Sequence, residues 1–229
     1  MRSRQTLLSD RTSATLTFAF IFFRGFFRWL CIALGGYHIH GREHIPTSGA
    51  VIIATNHTSV VDAPLVAWCT KRPVRCMAKS SLFKMPVIGT WWTALGAFPV
   101  SRGSADRNAI RTALGVLANG ELLLLFPEGR RGDGATLGKA KKGMAMIALK
   151  ANVPIIPAYI EGPNKMFPTG FHLPRRARLY IRIGSPIDLA PFQGKDGLDA
   201  LGPAVMARIE KLRDEHVAVT ARKTQAPTI

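Results

Sequence analysis

Acidic side chains are scarce in this sequence. Its 229 residues hold 14 Asp and Glu against 31 Lys and Arg, a formal charge of +17, so the partners that suit it are polyanions: nucleic acid, an anionic membrane surface or phosphorylated small molecules. Cysteine is scarcer still. Cys31, Cys69 and Cys76 are odd in number and form no CxxC pair, which argues against a disulfide framework or a zinc site and for reduced thiols on the cytosolic side. No GxSxG elbow, zinc-finger spacing, helix-turn-helix pattern or aromatic RNA-binding motif occurs, so no specific nucleic-acid partner is expected. Internal repeats and long linkers are missing too. Apolar residues are not: 47% of the chain, with 12 Phe and 4 Trp, excludes a disordered basic tail. The charge therefore decorates a folded body.

An uninterrupted apolar run long enough to span a bilayer is also lacking. The stretch TSATLTFAFIFFRGFFRWLCIALGG, residues 12–36, carries Arg24 and Arg28 near its middle, and central arginines cost about 2.5–3.5 kcal/mol each on insertion scales. The two arginines are four apart and share a helix face, while Phe22, Phe23, Phe26, Phe27 and Trp29 crowd the rest. An apolar N-terminal helix lying in the membrane interface, or a hairpin broken near Gly25, fits this pattern. No small-x-small cleavage site follows the run, as a secretory signal would require. Two blocks free of acidic residues, between Asp62 and Asp106 and between Glu161 and Asp188, hold Lys71, Arg72, Arg75, Lys79, Lys84 and Arg102, then Lys165, Arg175, Arg176, Arg178 and Arg182. Such blocks suit anionic lipid head groups, at about 1 kcal/mol per basic residue near the membrane.

From Gly49 onward, short apolar runs alternate with helical patterns. Strands are predicted at Ala50–Thr55, Val74–Met77, Ala97–Val100, Leu122–Phe126, Ile155–Ile160 and Leu179–Ile183. Helices are predicted at Asp62–Cys69, Pro86–Leu95, Asp106–Ala118, Lys139–Lys150 and Leu198–Arg222. The alternation and the continuous run LLLLF predict a single α/β domain with a mixed, mostly parallel sheet flanked by helices. The expected division is an anchoring segment over 1–40, the domain over 41–223, and a frayed tail over 224–229.

In such sheets reactive groups gather at strand ends and in the loops that follow. The first of these loops reads Asn56-His57-Thr58-Ser59-Val60-Val61-Asp62. On one continuous helix His57 and Asp62 would point about 140° apart, so they meet only across a turn. A strand-end His with Asp at the start of the next helix sets up a general base, one imidazole nitrogen held by the carboxylate and the other facing the cleft. A second loop, Phe98-Pro99-Val100-Ser101-Arg102, ends a strand on arginine. A third, Phe126-Pro127-Glu128-Gly129-Arg130-Arg131-Gly132, combines a carboxylate, two arginines and glycines. Arginine forks suit phosphate oxygens, and glycines let the backbone approach a ligand. A fourth run, Val153-Pro154-Ile155-Ile156-Pro157, is a proline-flanked strand.

In this order the runs GREHIP, NHTSVVD, FPVSRG, FPEGRR and VPIIP, from about Gly41 to Tyr159, strongly resemble the 1-acylglycerol-3-phosphate acyltransferases, a glycerolipid acyltransferase family. The resemblance implies transfer of a fatty acyl group from acyl-CoA or acyl-ACP to a lysophospholipid acceptor, at the cytoplasmic face of the cell membrane, with no bound cofactor. It implies His57 as the base and Asp62 as its orienter, Arg102 and Arg131 on the acceptor phosphate, and Glu128 and Gly129 shaping the glycerol site. Lys79, in the family-like run AKSSLFKMPVIG, would stabilise the oxyanion. Where the family usually has Thr-Arg-Ser after FPEG, this chain has Arg130, Arg131 and Gly132. The added charge of Arg130 leaves open another acceptor, such as a lyso-ornithine lipid, another lysophospholipid or glycerol 3-phosphate.

Two rival readings use the same residues. A hydrolase with Ser59 as nucleophile has the His–Asp pair but the wrong spacing for a triad. A non-catalytic protein binding anionic membranes or nucleic acid would need only the charge. His38, His40 and His44 alternate on a short segment and are read as surface residues, with no metal assigned.

Overall fold

Residues 25–26, 28–101, 106–168 and 173–225 are described by the structure, a computed structural model, with side chains described to residue 222. Most of the proposed anchor and Arg102 therefore lie outside the described residues, as does the end of the tail.

The apolar runs become strands of one sheet. In chain order the elements are β1 (Tyr37–His40), β2 (Val51–Thr55), α1 (Asp62–Cys69), β3 (Val74–Lys79), α2 (Pro86–Ala94) and β4 (Ala97–Val100). There follow α3 (Arg107–Ala118), β5 (Leu122–Leu125), α4 (Lys142–Ala151), β6 (Ile155–Glu161), α5 (Pro163–Met166), β7 (Leu179–Ile183) and α6 (Gly197–Gln225). The strand order is β1-β7-β6-β2-β5-β3-β4. Every neighbouring pair is parallel except β6 and β7. The strands without alternation, VIIAT and LLLL, take the centre and are buried on both faces, as apolar residues at both parities require.

Two cores result. On one face Ile53, Leu122 and Leu124 pack with α1, all of whose residues are buried. On the other, Ile52, Ala54, Leu123 and Leu125 meet α3, α4 and the Leu201, Val205, Ile209 stripe of α6. Asp106 caps α3, its carboxylate accepting from the N–H groups of Asn108 and Ala109.

Tyr37–His40, counted above with the anchoring segment, is instead edge strand β1, in parallel register with β7. Tyr37 and Ile39 pack on the core while His38 and His40 face outward, a two-residue alternation that only a strand can use. His38 stacks on Tyr180, and His44 Nδ1 lies 2.9 Å from the Ile183 carbonyl. The chain ahead of β1 is helical over residues 28–33 and buries Cys31 against Met166. Among the described residues no helix is long and apolar enough to cross a membrane. Arg72, counted in the lipid-facing block, is a loop tether. Its guanidinium donates to the carbonyls of Pro46, Gly49 and Gly120, and Arg75 pairs with Glu121.

Because β2, β3, β4, β5 and β6 run parallel, the loops after them share one edge of the sheet. Of the residues singled out from the sequence, His57, Asp62, Lys79, Glu128, Gly129, Arg130 and Arg131 lie at or just beyond strand ends on that edge.

Candidate active site

His57 leaves the end of β2, and Asp62 begins α1. The turn between them, Thr58 to Val61, brings His57 Nδ1 to 2.9 Å from Asp62 Oδ2. The same oxygen accepts the backbone N–H of Thr58 at 2.6 Å and of Ser59 at 2.9 Å. Asp62 is 0% exposed, and a buried carboxylate is tolerable only with donors of this kind around it. With the Nδ1 proton directed at Asp62, Nε2 keeps its lone pair for the cleft.

The imidazole has a floor and a brace. Its ring lies on Phe126, with centroids 3.9 Å apart and planes inclined by 17°. Its backbone N–H donates to Glu128 Oε1 at 3.3 Å, and its carbonyl accepts from Gly132 N–H at 2.7 Å. Glu128 Oε2 accepts from Gly138 N–H at 2.9 Å. Both Glu128 oxygens are thus engaged with the backbone, and the side chain is buried. It shapes the site by tying the β5 loop to the histidine turn rather than by presenting a free carboxylate.

That loop depends on two glycines. Gly129 has φ +68°, which L side chains rarely adopt, and a Cβ on Gly138 would lie 2.6 Å from Glu128 Oε2. Lys141 N–H then reaches the Pro127 carbonyl at 2.8 Å. This is why α4 starts at Lys142 and not at the expected Lys139.

The remaining candidates are set more loosely. Lys79 ends β3, and Arg130 and Arg131 follow Gly129; all three are exposed and carry no ion pair among the described residues. They share the His57 edge as free cations. Ser59 does not suit a nucleophile: it is 2% exposed, and its hydroxyl is sealed from solvent. Among the described residues no group of three His, Cys, Asp or Glu side chains is placed to hold a metal.

Three supports had no role in the sequence reading. Asn56 clamps β6, its Nδ2 donating to the Ile160 carbonyl at 2.9 Å and its Oδ1 accepting Ile160 N–H at 2.8 Å. Phe126 stacks on the histidine, and Gly138 receives Glu128. Only Asn56 carried a legible signal, a polar side chain at the end of an apolar strand. A cavity of about 310 Å³ opens beside the turn, lined by Thr58, Gly134, Tyr159, Asn164, Lys165 and Arg213 among others.

A strand-end His–Asp pair beside a braced glycine and arginine loop is the arrangement expected of an acyl-transfer enzyme. Residues 36–161 match the family model described as Acyltransferase, more than half of the chain, and the chain belongs to that family. It is 29% identical over 185 residues to the 1-acyl-sn-glycerol-3-phosphate acyltransferase of Bacillus subtilis (strain 168), covering 79% of this chain and 90% of that protein. It is 28% identical over 186 residues to the enzyme of the same name from Streptococcus pneumoniae (strain ATCC BAA-255 / R6), covering 79% and 67%. The crystal structure of the 1-acyl-sn-glycerophosphate (LPA) acyltransferase PlsC from Thermotoga maritima matches with a TM-score of 0.71 at 25% identity, over 93% of this chain and 84% of that one. The α/β domain with its mixed, mostly parallel sheet is the fold this chain shares with that structure.

Proposed function

We propose that the chain transfers a fatty acyl group from an acyl thioester of coenzyme A or acyl carrier protein to the sn-2 hydroxyl of 1-acyl-glycerol-3-phosphate, giving phosphatidic acid. The observation that carries this is His57, held through Nδ1 by Asp62 at 2.9 Å and leaving Nε2 open, in a chain of the acyltransferase family. Nε2 takes the proton of the acceptor hydroxyl as its oxygen attacks the thioester carbonyl. The tetrahedral oxyanion then collapses: the C–O ester bond is kept, the C–S bond breaks, and the proton passes from the imidazolium to the departing thiolate. Asp62 steadies the imidazolium between the two steps. The acceptor alcohol is the nucleophile, so no acyl-enzyme is needed.

In this reading Arg131, Arg130 and Arg102 hold the acceptor phosphate with forked donors, and Lys79 stabilises the oxyanion. Glu128 and Gly129 position the loop. Residues 41–223, with β1 added, form the catalytic domain. The apolar segment ahead of it anchors the enzyme to the cytoplasmic face of the membrane, where the lipid acceptor lies. The additional Arg130 favours a phosphate-bearing acceptor over a zwitterionic one by adding a second fork beside Arg131.

The test is thiol release from acyl-coenzyme A by the full chain in detergent micelles, with lysophosphatidic acid, glycerol 3-phosphate or lyso-ornithine lipid as acceptor. Release is expected with lysophosphatidic acid and its loss in His57→Ala. Full activity in that variant overturns the catalytic assignment. Activity only with another acceptor overturns the substrate.

A further inference from the structure

Apolar side chains left in water on the catalytic edge form a second feature of that edge. The chain leaves β3 through a 3-10 turn, Ser80–Lys84, and enters α2 at Pro86. Since β3 and β4 are parallel, this turn and the first residues of α2 must lie on the edge that carries His57. There Val87 is 81% exposed, with Met85 and Ile88 exposed beside it. Lys79 and Lys84 flank them, both exposed, and no acidic residue occurs between Asp62 and Asp106. The protrusion is firmly seated: Gly89 packs so closely on the turn that a Cβ would lie 2.6 Å from the Phe83 carbonyl oxygen.

The topology adds two neighbours. Strand β7 runs against β6 and parallel to β1, so the beginnings of β1 and β7 fall on the same edge as the ends of β2 and β6. The helical residues before β1 expose Trp29, at 63%, and Ile32 there. The segment before β7 exposes Leu173, at 70%, close to Arg176 and Arg178. The acidic groups that reach this edge are engaged. Asp62 and Glu128 are buried in the site, Asp106 and Asp133 accept backbone N–H groups, and Glu161 pairs with Lys165 and lies 3.1 Å from His216 Nε2.

We propose that the turn into α2, with Met85, Val87 and Ile88 at its tip and Lys79 and Lys84 at its sides, is a membrane-docking surface in its own right, inserting into an anionic bilayer next to the active site. The occupant is a lipid surface because the exposed apolar residues are flanked by Lys79 and Lys84 and lie in a stretch without an acidic residue, the pattern of an interfacial anchor. With the segment ahead of β1 and the loop ahead of β7, it gives the catalytic edge three lipid contacts around one opening. A lysolipid acceptor then reaches His57 from the leaflet, without crossing water. This rests on the reading that the acceptor is a membrane lipid.

The experiment labels the full chain at Val87→Cys with an environment-sensitive dye, and separately at Ser185→Cys, which follows β7 on the opposite edge and is exposed. The native thiols of Cys31, Cys69 and Cys76 are buried and pushed up to about 12, so they stay unlabelled at neutral pH. With vesicles of phosphatidylethanolamine and phosphatidylglycerol, the dye at position 87 is expected to shift to the blue and be quenched by a lipid-borne quencher. The dye at 185 is expected to do neither. An unshifted dye at 87 on vesicle-bound protein overturns the proposal, as does an equal response on pure phosphatidylcholine or at 185. Shielding without vesicles, together with a doubled mass, assigns the surface to a second copy and overturns it too. As a functional arm, Val87→Asp is expected to lose about tenfold in activity on vesicle-embedded lysophosphatidic acid, as for one aliphatic anchor removed from lipid. It should retain the parent rate on a short-chain soluble lysophosphatidic acid, and equal losses on both overturn the proposal. If the parent enzyme is silent on both acceptors, the substrate reading fails while the dye still reports docking.

Discussion

Glu128 holds His57 without touching its ring: Oε1 accepts the His57 backbone N–H at 3.3 Å, and Oε2 accepts the N–H of Gly138 at 2.9 Å. A side chain chosen from the sequence as a substrate contact is thus a strap between the histidine turn and the arginine loop. Glu128→Gln keeps the volume but leaves one N–H facing an amide NH₂. Hydrogen bonds to charged groups contribute about 1.5–3 kcal/mol, so kcat is expected to fall by roughly ten- to a hundredfold. KM for the acceptor should change much less. A pure rise in KM, measured by initial rates, would return Glu128 to direct substrate contact.

Asp62 Oδ2 serves three donors at once. In Asp62→Asn an amide oxygen that keeps the three donors now at Oδ2 leaves its NH₂ at the buried, unpartnered Oδ1 position, and the negative charge that steadies the imidazolium is lost. A loss of about 10²–10⁴ in kcat is expected, in the range of misassigned general bases, with the circular dichroism spectrum retained. Activity within threefold of the parent would show that the pair is structural.

Burial pushes all three thiols from the ordinary value of 9.0 up to about 12. In the unfolded chain they ionise near 9, so between pH 9 and 12 the unfolded state binds fewer protons than the folded one. The stability they contribute is complete below pH 9 and is lost as pH rises toward 12. Urea midpoints across that window should decline more steeply for the parent than for a variant with Cys69→Ala and Cys76→Ala. Parallel declines would mean that the thiols are accessible.

His216 shows the opposite sign. Burial against Tyr159 and Tyr180 holds its imidazole below the usual histidine range, with Arg182 and His40 adding to the depression and the Glu161 carboxylate opposing it. The folded chain therefore resists a proton that the unfolded chain accepts near 6.5, and stability is lost as pH falls below that value. His216→Phe, which keeps a ring in place, is expected to flatten the acid limb of the stability profile. A His216 resonance titrating above 6.5 by NMR would contradict it.

Local chemistry was legible in the sequence. The central strands show in VIIAT and LLLL because a strand buried on both faces must be apolar at every position, and the meeting of His57 with Asp62 follows from a spacing that no single helix can satisfy. The exposed edge of β1 was less legible: four alternating residues, two of them histidine, do not separate an edge strand from a loop. Arg72 read as a surface cation, because nothing near it in sequence announces the three distant carbonyls that it bridges. What only the tertiary structure decided is contact between residues remote in the chain. Phe126 beneath His57 and Glu128 shared between His57 and Gly138 are pairings across parallel strands, whose register no local pattern records. The reversal of β7, which brings the starts of β1 and β7 to the edge holding the ends of β2 and β6, is likewise a property of the whole sheet. Of the basic residues, which first pointed only to some polyanion, that reversal places Arg176 and Arg178, ahead of β7, on the edge that also carries Lys79, Arg130 and Arg131.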